Sequence, residues 1–491
     1  MIKEKKIIQI FLYINILIFL YGYFKGFFKP YWFDEVASIA FAKNFDSLSL
    51  IEIFTQDTHS PFFYFILFLG QKILELFNLK FSDYLIYLRS INLIGIIPIY
   101  FSYKILKNNF SKQNLEIILL LLISNHFFFY FSLELRMYFI LLSFSFLINV
   151  INYNNSLENN HKYLFLISSI ILSMLHVFGL TISMSILLYR FVLNYIHRNY
   201  KNCKINFSYT IILLIVFILF YGPSLVNGEN MKMFRWVKNN LWYYRVFIEW
   251  TLNLFITLTF IGSILLLKYK SKIFKLKYIN NFFNSSFFEN ITRILFPTII
   301  LMITTLLISF LFAPVITYRN LVVVVPNLIL LNGIFCYFFL KIKKSQFIIF
   351  ILLTLITIIN LKYYYTSIIT SNQNIKWVVK NTFNKNCEHV PVYYNDAGRK
   401  NFLKQYVEET VNVYAEYSRP IKNLSDLNPK IILQNFKLSK KCKTFIFSFH
   451  IPKLEYYIQD LKKSGIYFEI NYAPDVKVKN SKSGAIAKIK D

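Results

Sequence analysis

Two adjacent carboxylates, Asp34 and Glu35 in Tyr31-Trp32-Phe33-Asp34-Glu35-Val36-Ala37-Ser38, stand just after the first long apolar run of the sequence. Asp34 precedes a stretch of helical character, Val36 to Asn44, so it reads both as a helix cap and as a fixed carboxylate able to take a proton. The two roles are compatible. A helix amino terminus favours the ionised form, which keeps the group ready to accept a proton while lowering its basicity. His59, in Asp57-Thr58-His59-Ser60-Pro61, stands before a proline suited to the first turn of a helix. Glu134, Arg136 and Tyr138 crowd the entrance of another apolar stretch, and Arg319 stands at the entrance of a later one. An arginine so placed is either an interfacial anchor, stem in lipid and head in water, or a two-pronged ligand for a phosphate. His176, in His176-Val177-Phe178-Gly179, marks a tight turn between two apolar runs. One carboxylate and two guanidinium groups suit transfer of a group from a phosphate-linked donor, provided that all of them reach one side of a membrane.

The elements that must bring them there are legible in composition. The 491 residues are 56% apolar and 19% aromatic, and runs near the ~20 residues that cross a hydrocarbon core recur along the chain. Spans are expected at 7–24, 84–106, 115–131, 138–152, 162–175, 177–196, 209–222, 245–267, 294–312, 319–340 and 346–365. The first follows Lys3, Lys5 and Lys6 like a signal peptide, but no small-residue cleavage site follows it, so it reads as a retained helix. Phe62 to Phe77 is apolar, short and interrupted by Gln71, Lys72 and Glu75. Treating it as a span would put the basic loops at Lys104–Lys112, Arg190–Lys204, Lys268–Lys277 and Lys341–Lys344 outside, against the positive-inside rule. It is therefore expected to lie along the outer surface as an interfacial helix.

The expected fold class is thus a polytopic α-helical membrane protein of about eleven spans, with the amino terminus cytoplasmic and residues 25–83 as the first external loop. The same parity puts His59, Arg136, His176, the loop from Pro223 to Tyr244 and Arg319 on the external face. The formal charge of +29 follows from basic inter-helix loops and tail, so no nucleic-acid partner is implied. Beyond about residue 370 the apolar runs give way to patterns of soluble length. Strands are expected at Val390–Tyr394, Val411–Tyr417, Thr444–His450 and Tyr467–Tyr472, and helices at Ile375–Phe383, Arg399–Glu409 and Pro452–Lys463. Residues 1–369 therefore read as a membrane domain and 370–491 as a small extracytoplasmic α/β domain. Four cysteines lack the paired spacing of a zinc site. Cys387 and Cys442 both fall in the external tail, where an oxidising compartment permits a disulfide between them.

With these residues in place, the sequence resembles the GT-C membrane glycosyltransferases, in particular the family 39 group of protein O-mannosyltransferases and bacterial aminoarabinose and galacturonic acid transferases. Asp34-Glu35 matches the acidic pair of the family's first external loop. His59-Ser60-Pro61-Phe62-Phe63-Tyr64 is similar to its His-Pro-Pro segment leading into a juxtamembrane helix, with Ser60 in place of the usual proline. Leu133-Glu134-Leu135-Arg136-Met137-Tyr138 resembles its Glu-x-Arg-x-Tyr entrance, and His176-Val177-Phe178-Gly179 its His-aromatic-aromatic-Gly corner. Pro314 to Pro326, with Tyr318-Arg319-Asn320, is similar to its late arginine-containing helix start.

The resemblance implies a GT-C-like fold with juxtamembrane helices in the first external loop, in a bacterial cytoplasmic membrane. It implies a polyprenyl-phosphate-sugar donor reached from the membrane lipids and an extracytoplasmic glycan, lipid or protein acceptor. Asp34 would be the general base of an inverting displacement, and Glu35 would shape the loop or contact the acceptor. Arg136, Arg319 and His59 would bind the donor phosphate, with Tyr64, Glu134, Tyr138 and His176 lining the site. No cofactor is required on this reading and no cluster reads as a metal site, although a divalent ion can stand in for one arginine at a lipid phosphate. Two other classes fit parts of the pattern. A transporter or flippase for a lipid-linked sugar needs polar residues at mid-membrane in broken helices, for which Asn125 and His126 are the candidates, and a non-catalytic scaffold would use only the tail.

Overall fold

The computed structural model describes residues 2–27, 33–47, 49–55, 60–77, 85–154, 161–226, 286–311 and 319–340. Beyond these it describes shorter stretches, including 373–383, 390–394, 419–423, 445–448, 467–472 and 485–489. The chain divides into two compact units: Met1–Tyr23, Phe45–Ile66 and Arg89–Tyr364 form the first, and Phe24–Asn44, Leu67–Leu88 and Tyr365–Asp491 the second.

In chain order the described helices are α1 (Ile2–Phe27), α2 (Phe33–Lys43), α3 (Leu50–Thr55) and α4 (Phe62–Glu75), then a 3-10 helix (Leu85–Gly95) running directly into α5 (Ile96–Asn109). There follow α6 (Lys112–Ile123), α7 (His126–Ser132), α8 (Tyr138–Tyr153), α9 (Lys162–Leu175), α10 (Val177–Ile196), α11 (Tyr200–Val226) and α12 (Ser286–Leu311). A second 3-10 helix (Asn320–Val324) leads into α13 (Val325–Leu340), and α14 (Gln373–Thr382) precedes the strands. Among the described residues four helical segments are long and apolar enough to cross a membrane: Lys6–Phe27, Val177–Ile196, Tyr200–Pro223 and Glu289–Phe310. The expected spans at 245–267 and 346–365 lie wholly or largely outside the described residues.

Two expected spans are not straight helices. The run 84–106 is half 3-10 helix, and 115–131 is bent by 58° between α6 and α7. Asn125 causes the second break. Its side-chain oxygen accepts from the backbone N–H groups of Phe127 and Phe128, so a new helix is capped where the old one ends at Ser124. α11 is longer than expected and carries Pro223 inside it; residues 227–244 of the expected loop lie outside the described residues.

In the first unit α8 is the axis. Nearly all of its residues are buried, as befits a helix apolar on every side, and it packs against α5, α9, α10, α12, α13 and the second 3-10 helix. Helix ends can be matched through it. A Cβ on Gly95 would come within 2.7 Å of the Phe139 ring, and Phe110 stacks on Tyr153 at 5.2 Å, so α5 and α8 run in the same direction. At the Tyr153 end Arg190 donates to the Asn152 side chain at 2.7 Å and to its carbonyl at 3.1 Å. Arg293 there pairs with Glu289 and reaches the Tyr153 carbonyl. Two cations thus meet the carboxyl-terminal carbonyls of α8, where the helix dipole favours them. The opposite end of α8 carries the residues with chemical potential.

α4 starts as expected for its sequence: the Ser60 hydroxyl accepts from the Phe62 N–H at 3.2 Å and Pro61 occupies the first turn. At 14 residues it is about 21 Å long, short of a span. It buries Phe63, Tyr64 and Leu67, and exposes an apolar stripe of Phe65, Leu69 and Ile73 suited to a lipid surface. α3 is opened by a capping box in which the Ser49 N–H and hydroxyl donate to Glu52 at 2.9 and 2.7 Å, holding its carboxyl below the usual glutamate value.

In the second unit the strands are β1 (Val392–Tyr394), β2 (Ile421–Asn423), β3 (Phe445–Ser448), β4 (Phe468–Tyr472) and β5 (Ala485–Ile489), in the order β2-β1-β3-β5-β4. β1 is parallel to β2 and β3, while β5 is antiparallel to β3 and β4. Of the expected strand Val411–Tyr417 the structure describes Val411, Ala415 and Tyr417: Val411 is helical and its carbonyl accepts from the Ala415 N–H at 2.7 Å, and the described neighbours of β1 are Ile421–Asn423 and β3. Buried Arg419 donates to the carbonyls of Val390 and Thr382, tying the end of α14 to the start of β1. Cys387 is disulfide-bonded, Cys203 and Cys336 are free, and the expected partner Cys442 lies outside the described residues. Of the expected helices in this region, Ile375–Phe383 is present as α14, Arg399–Glu409 lies outside the described residues, and Pro452–Lys463 lies almost wholly outside them.

Candidate functional site

The turn between α7 and α8, residues 133–137, presents Glu134 and Arg136, and α8 begins with Tyr138. Three backbone carbonyls here are held by one side chain. Buried Asn92 on the first 3-10 helix donates to Phe131, Ser132 and Glu134 at 3.5, 3.0 and 2.7 Å. The Arg136 N–H turns back to the Glu134 carbonyl at 2.7 Å, a tight reversal. The Arg136 guanidinium lies 5.8 Å from the centre of the Tyr138 ring.

Arg319, nearly two hundred residues later, joins the same ring from the start of the second 3-10 helix. Its guanidinium lies 6.0 Å from the Tyr138 ring centre and 3.8 Å from the Glu134 carboxylate. The buried valines of that helix seat it against α8. The two arginines differ in access: Arg136 is buried, whereas the Arg319 side chain is about a third exposed, at 32%. Glu134, 1% exposed, shares this ring with the two guanidinium groups. Guanidinium groups in a low-dielectric setting are chemically suited to holding an anion.

His176 is the expected tight turn and is also a cap. Its Nδ1 accepts from the Phe178 N–H at 3.2 Å, leaving Nε2 as the protonated nitrogen of the neutral ring, and its ring lies 6.3 Å from Tyr138. Gly179 explains the spacing of this corner. A Cβ there would run into the Leu172 carbonyl oxygen and come within 3.1 Å of Leu141. Only glycine lets α9 and α10 close so tightly beside α8.

The structure thus brings Glu134, Arg136, Tyr138, His176 and Arg319 together at one end of the first unit, opposite the end that carries Arg190 and Arg293. Tyr64 is buried on α4, where its ring meets Phe63 edge-on at 6.3 Å. His59 lies outside the described residues. Asp34 and Glu35 belong to the second unit. α2 begins at Phe33, so Asp34 falls inside the first turn rather than at the cap before Val36. Glu35 is fully buried, as are Ser38 and Ala42 on the same helix, and Gln71 reaches the α2 backbone at the Ile39 carbonyl, 3.5 Å away. Among the described residues no three His, Cys, Asp or Glu side chains gather as metal ligands.

Asn92 and Arg89 were not singled out by sequence. Both are buried to 1% exposure, three residues apart on the first 3-10 helix, which stacks them on one face. Their signal was present as polar residues inside an apolar run, a rare and informative occurrence in a span.

The first unit is thus a central buried helix with apolar helices packed around it, and the second carries a mixed sheet. The same fold is seen in ArnT from Cupriavidus metallidurans, solved bound to undecaprenyl phosphate and in the apo state. Each of the two structures matches this chain with a TM-score of 0.53 at 10% sequence identity, over 98% of this chain and 97% of the other. No protein-family model and no curated protein sequence matches the chain.

Proposed function

We propose that this protein is an integral membrane glycosyltransferase that moves a sugar from a polyprenyl-phosphate donor to an extracytoplasmic acceptor. The observation that carries the reading is the pair Arg136 and Arg319 converging on Tyr138 at one end of the bundle. It stands on a fold shared with a protein whose structure holds undecaprenyl phosphate. In the proposed step the acceptor hydroxyl oxygen attacks the anomeric carbon and its proton passes to Asp34. The bond from the anomeric carbon to the phosphate oxygen breaks, the electron pair leaves with the phosphate, and the configuration inverts. The charge growing on that phosphate is the species the guanidinium groups would stabilise. Arg319, the more exposed, is assigned direct contact; Arg136, buried beside the phenol, holds the site's shape and potential. Glu35 is assigned to shaping the loop, His59 to the donor phosphate, and Tyr64, Tyr138 and His176 to lining the site. No cofactor is required on this reading, and a divalent ion can stand in for one arginine at the lipid phosphate.

The chemistry of a phosphate held by a charge-assisted pair predicts the test. Purified protein should retain undecaprenyl phosphate in native mass spectrometry, and Arg319→Ala should weaken that retention about ten- to hundredfold, the scale of one hydrogen bond to a charged group. Equal retention by the variant, or none by wild type, would remove the arginine pair from the reading. Transport is the second reading, favoured by the 58° break at Asn125. That break is closed by its own capping hydrogen bonds, whereas the arginines sit at a bundle end, where an enzyme working at the membrane face would need them.

A further inference from the structure

At the basic end of the first unit the turn from α10 to α11 contains a conformation its sequence does not favour. Arg198 has φ of 56°, in the left-handed region where helices usually place glycine. The Asn199 N–H bonds the Asn194 carbonyl at 2.7 Å, and the Arg198 N–H bonds the Tyr195 carbonyl at 3.0 Å, the paired closure of a Schellman turn. Every bond that makes the turn is a backbone bond, and glycine would make them all without the Cβ penalty. The Arg198 side chain therefore answers to something other than the turn.

Its surroundings indicate what. Arg198, Lys201 and Lys204 are all exposed, and among the described residues none of them carries an ion pair. Tyr195, Ile196 and Tyr200 stand out beside them at 61%, 65% and 59% exposure, with the rings of Tyr195 and Tyr200 6.4 Å apart, edge to face. Unpaired cations interleaved with exposed tyrosines at the end of two apolar helices match the boundary between lipid tails and headgroups. We infer that the α10–α11 turn is a binding site for the headgroup of an anionic membrane lipid, with Arg198, Lys201 and Lys204 meeting its phosphate and the tyrosines seated at the acyl boundary. The cations supply the charge complementarity that a zwitterionic headgroup does not reward. This site is independent of the arginine pair at the other end of the bundle.

The test is titration of the full-length protein in detergent with phosphatidylglycerol or phosphatidylcholine, reading bound lipid by native mass spectrometry and thermal stability in parallel. Wild type should retain phosphatidylglycerol in preference to phosphatidylcholine and melt higher in its presence. Removing the three cations as Arg198→Gly with Lys201→Gln and Lys204→Gln should lower that retention about fivefold per cation, the fold-change of roughly 1 kcal/mol each. Arg198→Gly alone should fold at least as stably as wild type in phosphatidylcholine, because it relieves the backbone, and still lose part of the phosphatidylglycerol effect. Undiminished phosphatidylglycerol retention by the triple variant would overturn the inference, as would an Arg198→Gly protein destabilised equally in both lipids.

Discussion

Arg136 and Arg319 carry the same charge but not the same duty. Arg136 is buried against Tyr138 in a turn whose backbone is fixed by Asn92, so its planar fork and its shape both matter. Arg136→Lys keeps the charge, shortens the reach and loses the fork; catalytic rate is expected to fall at least tenfold with substrate affinity changing less, read as kcat against KM. An Arg136→Lys enzyme with wild-type kcat would show that charge alone suffices there. The sequence marked both arginines, Glu134 and Tyr138 as suspects because charges at the ends of apolar runs are few. It did not mark Asn92, whose role of satisfying three carbonyls exists only once the chain has turned at residues 131–134. Nor did it reveal that Arg319 and Glu134 are partners, since no local pattern links residues so far apart.

At the scale of elements, the corner His176 to Gly179 and the capping box at Ser49 are where local chemistry sets geometry. Gly179→Ala drives a methyl group against the Leu172 carbonyl, a backbone atom that cannot rotate away. Overpacking of this kind costs about 1–3 kcal/mol, so a lower melting temperature and reduced activity are expected together, through the displaced His176. A variant of unchanged stability would mean that α9 and α10 have slack. In the box, Glu52 accepts from Ser49 and its carboxyl is held low. A depressed carboxyl stabilises above its unfolded pKa and loses that contribution as pH falls through the folded value. Amides of α3 should therefore exchange faster below the ordinary glutamate range, while Glu52→Gln should make their exchange nearly independent of pH there. Helix positions such as 162–175 and 177–196 were legible to the residue, because apolar length and flanking turns agree. The bend at Asn125 and the 3-10 start of the 84–106 run were not, since a capping side chain or a helix type changes the path without changing hydropathy. The short strands β2 and β5 were missed for a related reason: Ile421–Asn423 and Ala485–Ile489 pair through distant neighbours, with too few residues to show a period of their own.

At the scale of the whole molecule, the fold is a membrane bundle with a mixed sheet, and its first unit is polarised between two ends. One carries Arg190, Arg293, Lys201 and Lys204, and the other Arg136, His176 and Arg319. Basic loops and the parity of apolar runs were enough to expect that division, because the distribution of charge along a polytopic chain follows its passage through the bilayer. The central claim is the reaction. Its most direct test is release of undecaprenyl phosphate from a panel of undecaprenyl-phosphate sugars by purified protein, with envelope extract as acceptor and a chelator present, wild type beside Asp34→Asn. Acceptor-dependent release by wild type is expected with the chelator present, with a fall of about 10²- to 10⁴-fold in the variant, the usual contribution of a positioned base. Release that is equal in the two proteins, or absent from wild type across the panel, would contradict it.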